Sequence, residues 1–215
     1  MRSGKKGFTL IEAVMVAMIV AILAAFLFPT VRSQLTKADR AKASGLMRGI
    51  GNAMRLYSAE HNGYLPGPLW PGQVAEFDPA RDGRLVGILA PYLGIEPREQ
   101  PFVIAKLFTT SFRRATQGIA PKDARLYVMN MNLGGEGINP WGSLATTPTS
   151  GPLKMSALPA NLPTRAWAMV EADQEQEDVA GAPWRSSTPA KPVYGDGRLY
   201  LFFDGRVEFL GLGSK

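Results

Sequence analysis

The chain has 215 residues, no cysteine and a single histidine, His61. This inventory excludes a disulfide framework, thiolate metal sites and any two-histidine metal motif. Half of the formal net charge of +6 comes from three side chains at the extreme N-terminus, Arg2, Lys5 and Lys6, so the remainder is not basic enough to imply a nucleic-acid partner.

The basic leader runs from Met1 to Gly7 and holds no acidic side chain. The segment from Phe8 to Phe28 is apolar apart from Thr9 and one charged residue, Glu12. Its 21 residues would span about 30 Å as a helix, the thickness of a hydrocarbon core. A charge inside such a segment costs roughly 2.5–3.5 kcal/mol, so Glu12 calls for a reason. The apolar run continues through Phe26, Leu27 and Phe28 past the small residues at 21–25, which argues against a short secretory signal with an A-x-A-like cut.

Beyond Pro29, which should kink the rod, Val31, Leu35, Ala38, Ala41, Leu46, Ile50, Ala53 and Tyr57 recur at three- to five-residue steps. That stripe predicts an amphipathic helix needing a packing partner. Gly45, Gly49 and Gly51 should weaken it by up to ~1 kcal/mol each relative to alanine. Asn62-Gly63 followed by Pro66 predicts its end. The expected organisation is a leader at 1–7, a long helix at 8–60 with its spanning part at 8–28, and a head at 61–215.

In the head, Arg84 to Leu93 reads as a short helix stopped by Gly94. Leu126–Met129 and Arg165–Glu171 read as strands. Arg198–Phe203 and Arg206–Leu210, joined by Asp204-Gly205, read as a β-hairpin with a type I′ turn. Two Gly- and Pro-rich stretches, 134–163 and 173–192, read as long loops.

The head offers little catalytic chemistry. His61 sits at a helix end without a nucleophile elbow, and no phosphate-binding loop is present. Arg113, Arg114, Lys122 and Arg125 cluster in sequence but lack interleaved aromatics for base stacking. The acidic run containing Glu171, Asp173 and Glu175 supplies the oxygen ligands that suit calcium, against the simpler reading of a solvated acidic loop. Calcium is the one cofactor the sequence suggests.

Gly7, Phe8, Thr9, Leu10 and Glu12 together, after the basic leader and before the apolar run, resemble the type IV prepilin signature. The resemblance implies cleavage after Gly7 by a prepilin peptidase and N-methylation of Phe8. It also implies assembly in which Glu12 neutralises the α-amine of a neighbouring subunit; the alternative is that Glu12 merely reaches the membrane interface. The implied fold is α+β and pilin-like, one long N-terminal helix packed on a small antiparallel sheet with long irregular loops.

The implied role is a structural, non-enzymatic subunit of a type IV pilus or of a type II secretion pseudopilus. Its partners would be other pilin or pseudopilin subunits and the inner-membrane assembly platform. It would be anchored by a single pass in the inner membrane, with the head in the periplasm, and would reach the cell surface in a filament. The competing class is a membrane-anchored binding or enzymatic ectodomain that uses the leader for targeting alone.

The head resembles the H-X9-DG pilin-like family of planctomycetes and verrucomicrobia. The matching segments are Leu56 to Pro66, Pro91-Tyr92-Leu93-Gly94, Tyr127-Val128-Met129-Asn130 and the strand pair around Asp204-Gly205. The family's histidine is replaced here by Tyr194.

Overall fold

The computed structural model describes residues 9–135, 137–145, 149–158 and 166–213. The chain forms two compact units, Met1–Ala38 and Asp39–Lys215.

In the first unit the backbone enters helix α1 (Leu10–Glu60). The helix passes through Pro29 without interruption. This half is apolar on every side and exposed on every side, from Leu10 at 86 % to Phe28 at 61 %. An 18-residue window of it has a mean hydropathy of 2.8, so α1 is long and apolar enough to cross a membrane.

The second unit begins inside the same helix. Ala43, Met47, Ile50, Ala53 and Met54 enter the main core, and Gly51 and Ser58 are buried beside them. Of the predicted stripe, Ile50 and Ala53 are buried and Leu46 and Tyr57 half-buried. Val31, Leu35, Ala38 and Ala41 are exposed, so the packing face starts later and is rotated from the expected one. Small residues explain the shift, because they admit close approach that an apolar count does not see. A β-carbon on Gly51 would lie 2.9 Å from Cδ1 of Leu201, so this glycine is a contact point rather than a weakness. Gly45 and Gly49 have nothing within 4 Å of the same position.

The helix stops as expected. Gly63 N–H donates to Ser58 O at 2.8 Å, and Asn62 and Gly63 carry positive φ of 52° and 82°, the left-handed ending that unwinds a helix.

A five-stranded antiparallel sheet forms the head. It consists of β1 (Gly72–Val74), β4 (Arg125–Met129), β5 (Trp167–Glu171), β6 (Gly197–Phe202) and β7 (Val207–Gly211), in spatial order β1-β4-β5-β6-β7. Strand alternation sorts its side chains. Tyr127, Met129, Met169, Leu199 and Leu201 join the core that holds α1. Val128 and Val170 form a smaller cluster with Ala172 and Val179, flanked by Trp167, Trp184 and Tyr200. β2 (Glu76–Phe77) and β3 (Phe102–Val103) form a separate two-stranded antiparallel sheet. The predicted short helix appears as α2 (Leu85–Leu89) and a 3-10 turn, Pro91–Leu93, ended by Gly94 at φ 59°. Helix α3 (Thr110–Ala115) was not apparent from the sequence; the hydroxyl of Thr109 caps it by accepting from Phe112 N–H.

The hairpin turn differs from the type I′ expectation. Gly205 N–H donates to Phe202 O at 2.8 Å and Phe202 N–H to Arg206 O at 2.9 Å. Gly205 has φ 81° while Asp204 keeps a negative φ, which makes a three-residue loop with glycine in the left-handed position. The Asp204 carboxylate caps this turn by accepting from Arg206 N–H at 2.9 Å, and a β-carbon on Gly205 would overlap the Arg55 guanidinium of α1.

The stretch read as a loop at 173–192 contains α4 (Glu177–Ala180) and a fully buried Val179. In the described parts of 134–163, Trp141 is fully buried and its indole N–H donates to Asn130 O at 2.9 Å.

Candidate functional site

The N-terminal turn of α1 is built around Thr9 and Glu12. The Glu12 carboxylate accepts from Thr9 N–H at 2.8 Å and from the Thr9 hydroxyl at 2.7 Å. In return Glu12 N–H donates to Thr9 Oγ1 at 3.4 Å. This reciprocal pairing is a capping box, which satisfies amide groups that a helix start would otherwise leave open. Its negative charge also lies at the positive end of the helix dipole. The signal was present in the sequence as Thr-x-x-Glu ahead of an apolar run, and it gives Glu12 a local partner besides any intersubunit one. Gly7 and Phe8, the expected cleavage and methylation positions, lie outside the described residues.

The acidic positions of the head fall in a different environment from the one expected. Glu171 and Asp173 are 9 % and 1 % exposed, so they are not part of a solvated loop; Glu175 is exposed. Asp173 is ion-paired with Arg198, whose Nη2 donates to Oδ1 at 2.8 Å. Glu171 accepts from Leu199 N–H at 3.0 Å. Burial pushes the Glu171 carboxyl up to about 7; the Leu199 amide opposes this and the charge of Asp173 adds to it. Among the described residues no three His, Asp or Glu side chains converge as a metal-binding group. Asp173 spends its carboxylate on Arg198, which leaves the three calcium candidates without a shared centre.

His61 stacks on Tyr57, with ring centroids 3.8 Å apart, and its Nδ1 lies 2.8 Å from Tyr57 O. It finishes the helix, as a helix-terminal histidine commonly does. Tyr194 is 8 % exposed, with its hydroxyl 3.3 Å from that of Thr109. Tyr194 is thus a packed residue of the core.

Residues 2–28 match the prokaryotic N-terminal methylation motif. This motif is the signature of type IV pilin and pseudopilin precursors, and it spans the basic N-terminal segment, the capping box and the exposed apolar part of α1. The chain carries that signature on an α+β fold in which a long N-terminal helix accompanies an antiparallel sheet. No curated protein and no solved structure matches it significantly.

Proposed function

We propose that the protein is a structural subunit of a type IV pilus-like or type II secretion pseudopilus filament. A prepilin peptidase cuts it after Gly7, the new α-amine of Phe8 is methylated, and the subunit assembles through the N-terminal half of α1. The observation that carries this reading is the pairing of the methylation motif with a helix whose apolar surface is exposed on all sides from Leu10 to Phe28. In lipid that surface is at home; in a filament it packs on its counterparts in other subunits.

Glu12 has the central role in assembly. In the isolated subunit Thr9 supplies its hydrogen bonds. In a filament the methylated amine of a neighbouring Phe8 supplies a countercharge, which offsets part of the cost of burying either group alone. The head resembles the H-X9-DG pilin-like family and serves as the exposed part of the subunit. Its role is structural rather than enzymatic, in keeping with a single histidine committed to the end of α1.

Glu12→Ala tests this reading. Site-specific cross-linking between cysteines introduced in the apolar part of α1 measures assembly in membranes. Loss of the cross-linked ladder with an unchanged melting curve supports a filament subunit. An undiminished ladder contradicts the assembly role, and absence of any ladder in the unsubstituted protein favours a tethered ectodomain.

A further inference from the structure

A cleft of about 490 Å³ opens on the head where five separate segments meet, one of them contributing Leu144. Trp70 and Gly72 come from the entry to β1, Arg81 to Arg84 from the approach to α2, Arg125 from the start of β4, and Trp184 from the segment after α4. This size suits a small ligand or one side chain of a larger one.

The cleft is built, not incidental. A β-carbon on Gly72 would lie 2.8 Å from Cδ of Arg125 and 3.0 Å from the Trp184 ring. A β-carbon on Gly83 would overlap Trp70 and Leu144. Two glycines therefore clear the space in which Arg125 and both tryptophans are held. The Arg125 guanidinium lies over Trp184, 5.3 Å from the ring centroid, an arrangement that fixes its plane.

The charges of the cleft are unequally matched. Arg84 is ion-paired with Glu76, and Arg81 with Asp78 at 3.2 Å. Arg125 donates from Nη1 to the neutral carbonyl of Gly72 at 2.7 Å, while its Nε is buried without a partner. Burial lowers the pKa of Arg125, and the charges of Arg84 and Arg81 lower it further against the opposing pull of Asp123. A half-buried guanidinium is thus repelled by two others, and among the described residues no carboxylate lies within ion-pair distance of it. Asp82 in the lining and the charge of Asp123 disfavour a ligand carrying several negative charges, such as a chain of phosphates. A single carboxylate meets less of that repulsion. Trp70, 45 % exposed, offers an apolar surface beside it.

We propose that this cleft binds one carboxylate carried on a flat or apolar body, with Arg125 holding the carboxylate and Trp70 covering the body. The carboxylate can belong to an acidic side chain of a polypeptide or to a small free acid. This site is separate from the N-terminal turn of α1 and does not depend on filament assembly.

The probe is 4-fluorobenzoate, read by fluorine NMR line broadening on the full chain in detergent, with 4-fluorobenzamide as the uncharged control. The expected result is saturable broadening by the benzoate at millimolar concentration, with binding about tenfold weaker for the benzamide and for Arg125→Gln. Arg125→Lys, which keeps the charge but not the fork, should fall between. Trp70→Ala, at a half-exposed position, should weaken binding severalfold and serves if Arg125→Gln fails to fold. Equal binding of benzoate and benzamide overturns the proposal. So does unchanged binding in folded Arg125→Gln or in Trp70→Ala, displacement by inorganic phosphate at lower concentration than benzoate, or no broadening at all. Competition by acetyl-Phe-Asp-amide identifies a polypeptide as the source; failure of that peptide to compete with a bound benzoate identifies a small acid.

Discussion

The carboxylate of Asp39, on α1, accepts the backbone N–H groups of Thr110 and Ser111 at the start of α3, 71 and 72 residues away in sequence. Burial alone would raise the Asp39 pKa, but the Ser111 hydroxyl and amide, the Thr110 amide and the charge of Lys42 outweigh it and hold the carboxyl below its ordinary value of 3.8. Asp39 is also the first residue of the head unit. Lys42, one turn on, donates to Phe108 O at 3.4 Å, so one turn of α1 holds three backbone groups at and just before the start of α3.

Asp39→Ala should therefore cost about 1 kcal/mol, the usual value of a helix cap. Because the folded-state pKa is depressed, the stability from Asp39 is present above its unfolded value and is lost as pH falls through the folded value. Thermal melts at pH 7 and pH 3 should show the variant less stable than the parent at pH 7 and closer to it at pH 3. An equal deficit at both pH values would contradict a role for the ionised carboxylate.

Glu171 should give the opposite dependence. Its folded pKa of about 7 lies above the ordinary 4.5, so the native state holds the proton that the unfolded chain gives up. Stability falls as pH rises from about 4.5 to about 7, by about 3 kcal/mol in all, and is level above that. Glu171→Gln keeps an acceptor for Leu199 N–H and removes the titration. Denaturant unfolding should show the variant more stable than the parent at pH 8, with little difference at pH 4.5. A variant that is no more stable at pH 8 would show that Glu171 is ionised in the fold at little cost.

The three glycines of α1 should respond differently to substitution. Gly45→Ala and Gly49→Ala fill open space and should each stabilise by up to about 1 kcal/mol, raising Tm by about 2–4 °C for a unit of this size. Gly51→Leu places a side chain against Leu201, itself 1 % exposed, and should cost about 1–3 kcal/mol by overpacking. A melt series distinguishes these outcomes, and a neutral Gly51→Leu would mean that α1 does not approach β6 as closely as described.

Gly205→Ala combines a positive φ of 81° with overlap onto Arg55. It should destabilise by about 1–2 kcal/mol. Adding Arg55→Ala should recover the part due to crowding and leave the part due to backbone strain.

The sequence was most legible where a signal is local. The apolar run, the helix end at Asn62-Gly63, the strands containing Val128 and Val170, and the hairpin around Gly205 each follow from adjacent residues. It was least legible where a small residue meets something distant. Gly51 reads as a helix weakness until Leu201 stands opposite it, and nothing beside Asp39 in sequence announces the start of α3. The acidic run shows the same limit, since nothing near Asp173 in sequence announces Arg198. Strands of two or three residues, such as β2 and β3, carry too little pattern to be read. The Thr9–Glu12 capping box is readable from Thr-x-x-Glu ahead of the apolar run, and this local pairing stands beside the intersubunit role expected of Glu12.

Processing by a prepilin peptidase is decided by the N-terminal sequence and intact mass of the protein recovered from membranes of cells with and without that enzyme. A filament precursor should yield a chain that begins at Phe8 and is one methyl group heavier, found only when the peptidase is present. A chain that still begins at Met1 in peptidase-bearing cells would contradict such processing and leave the N-terminal segment a plain membrane anchor.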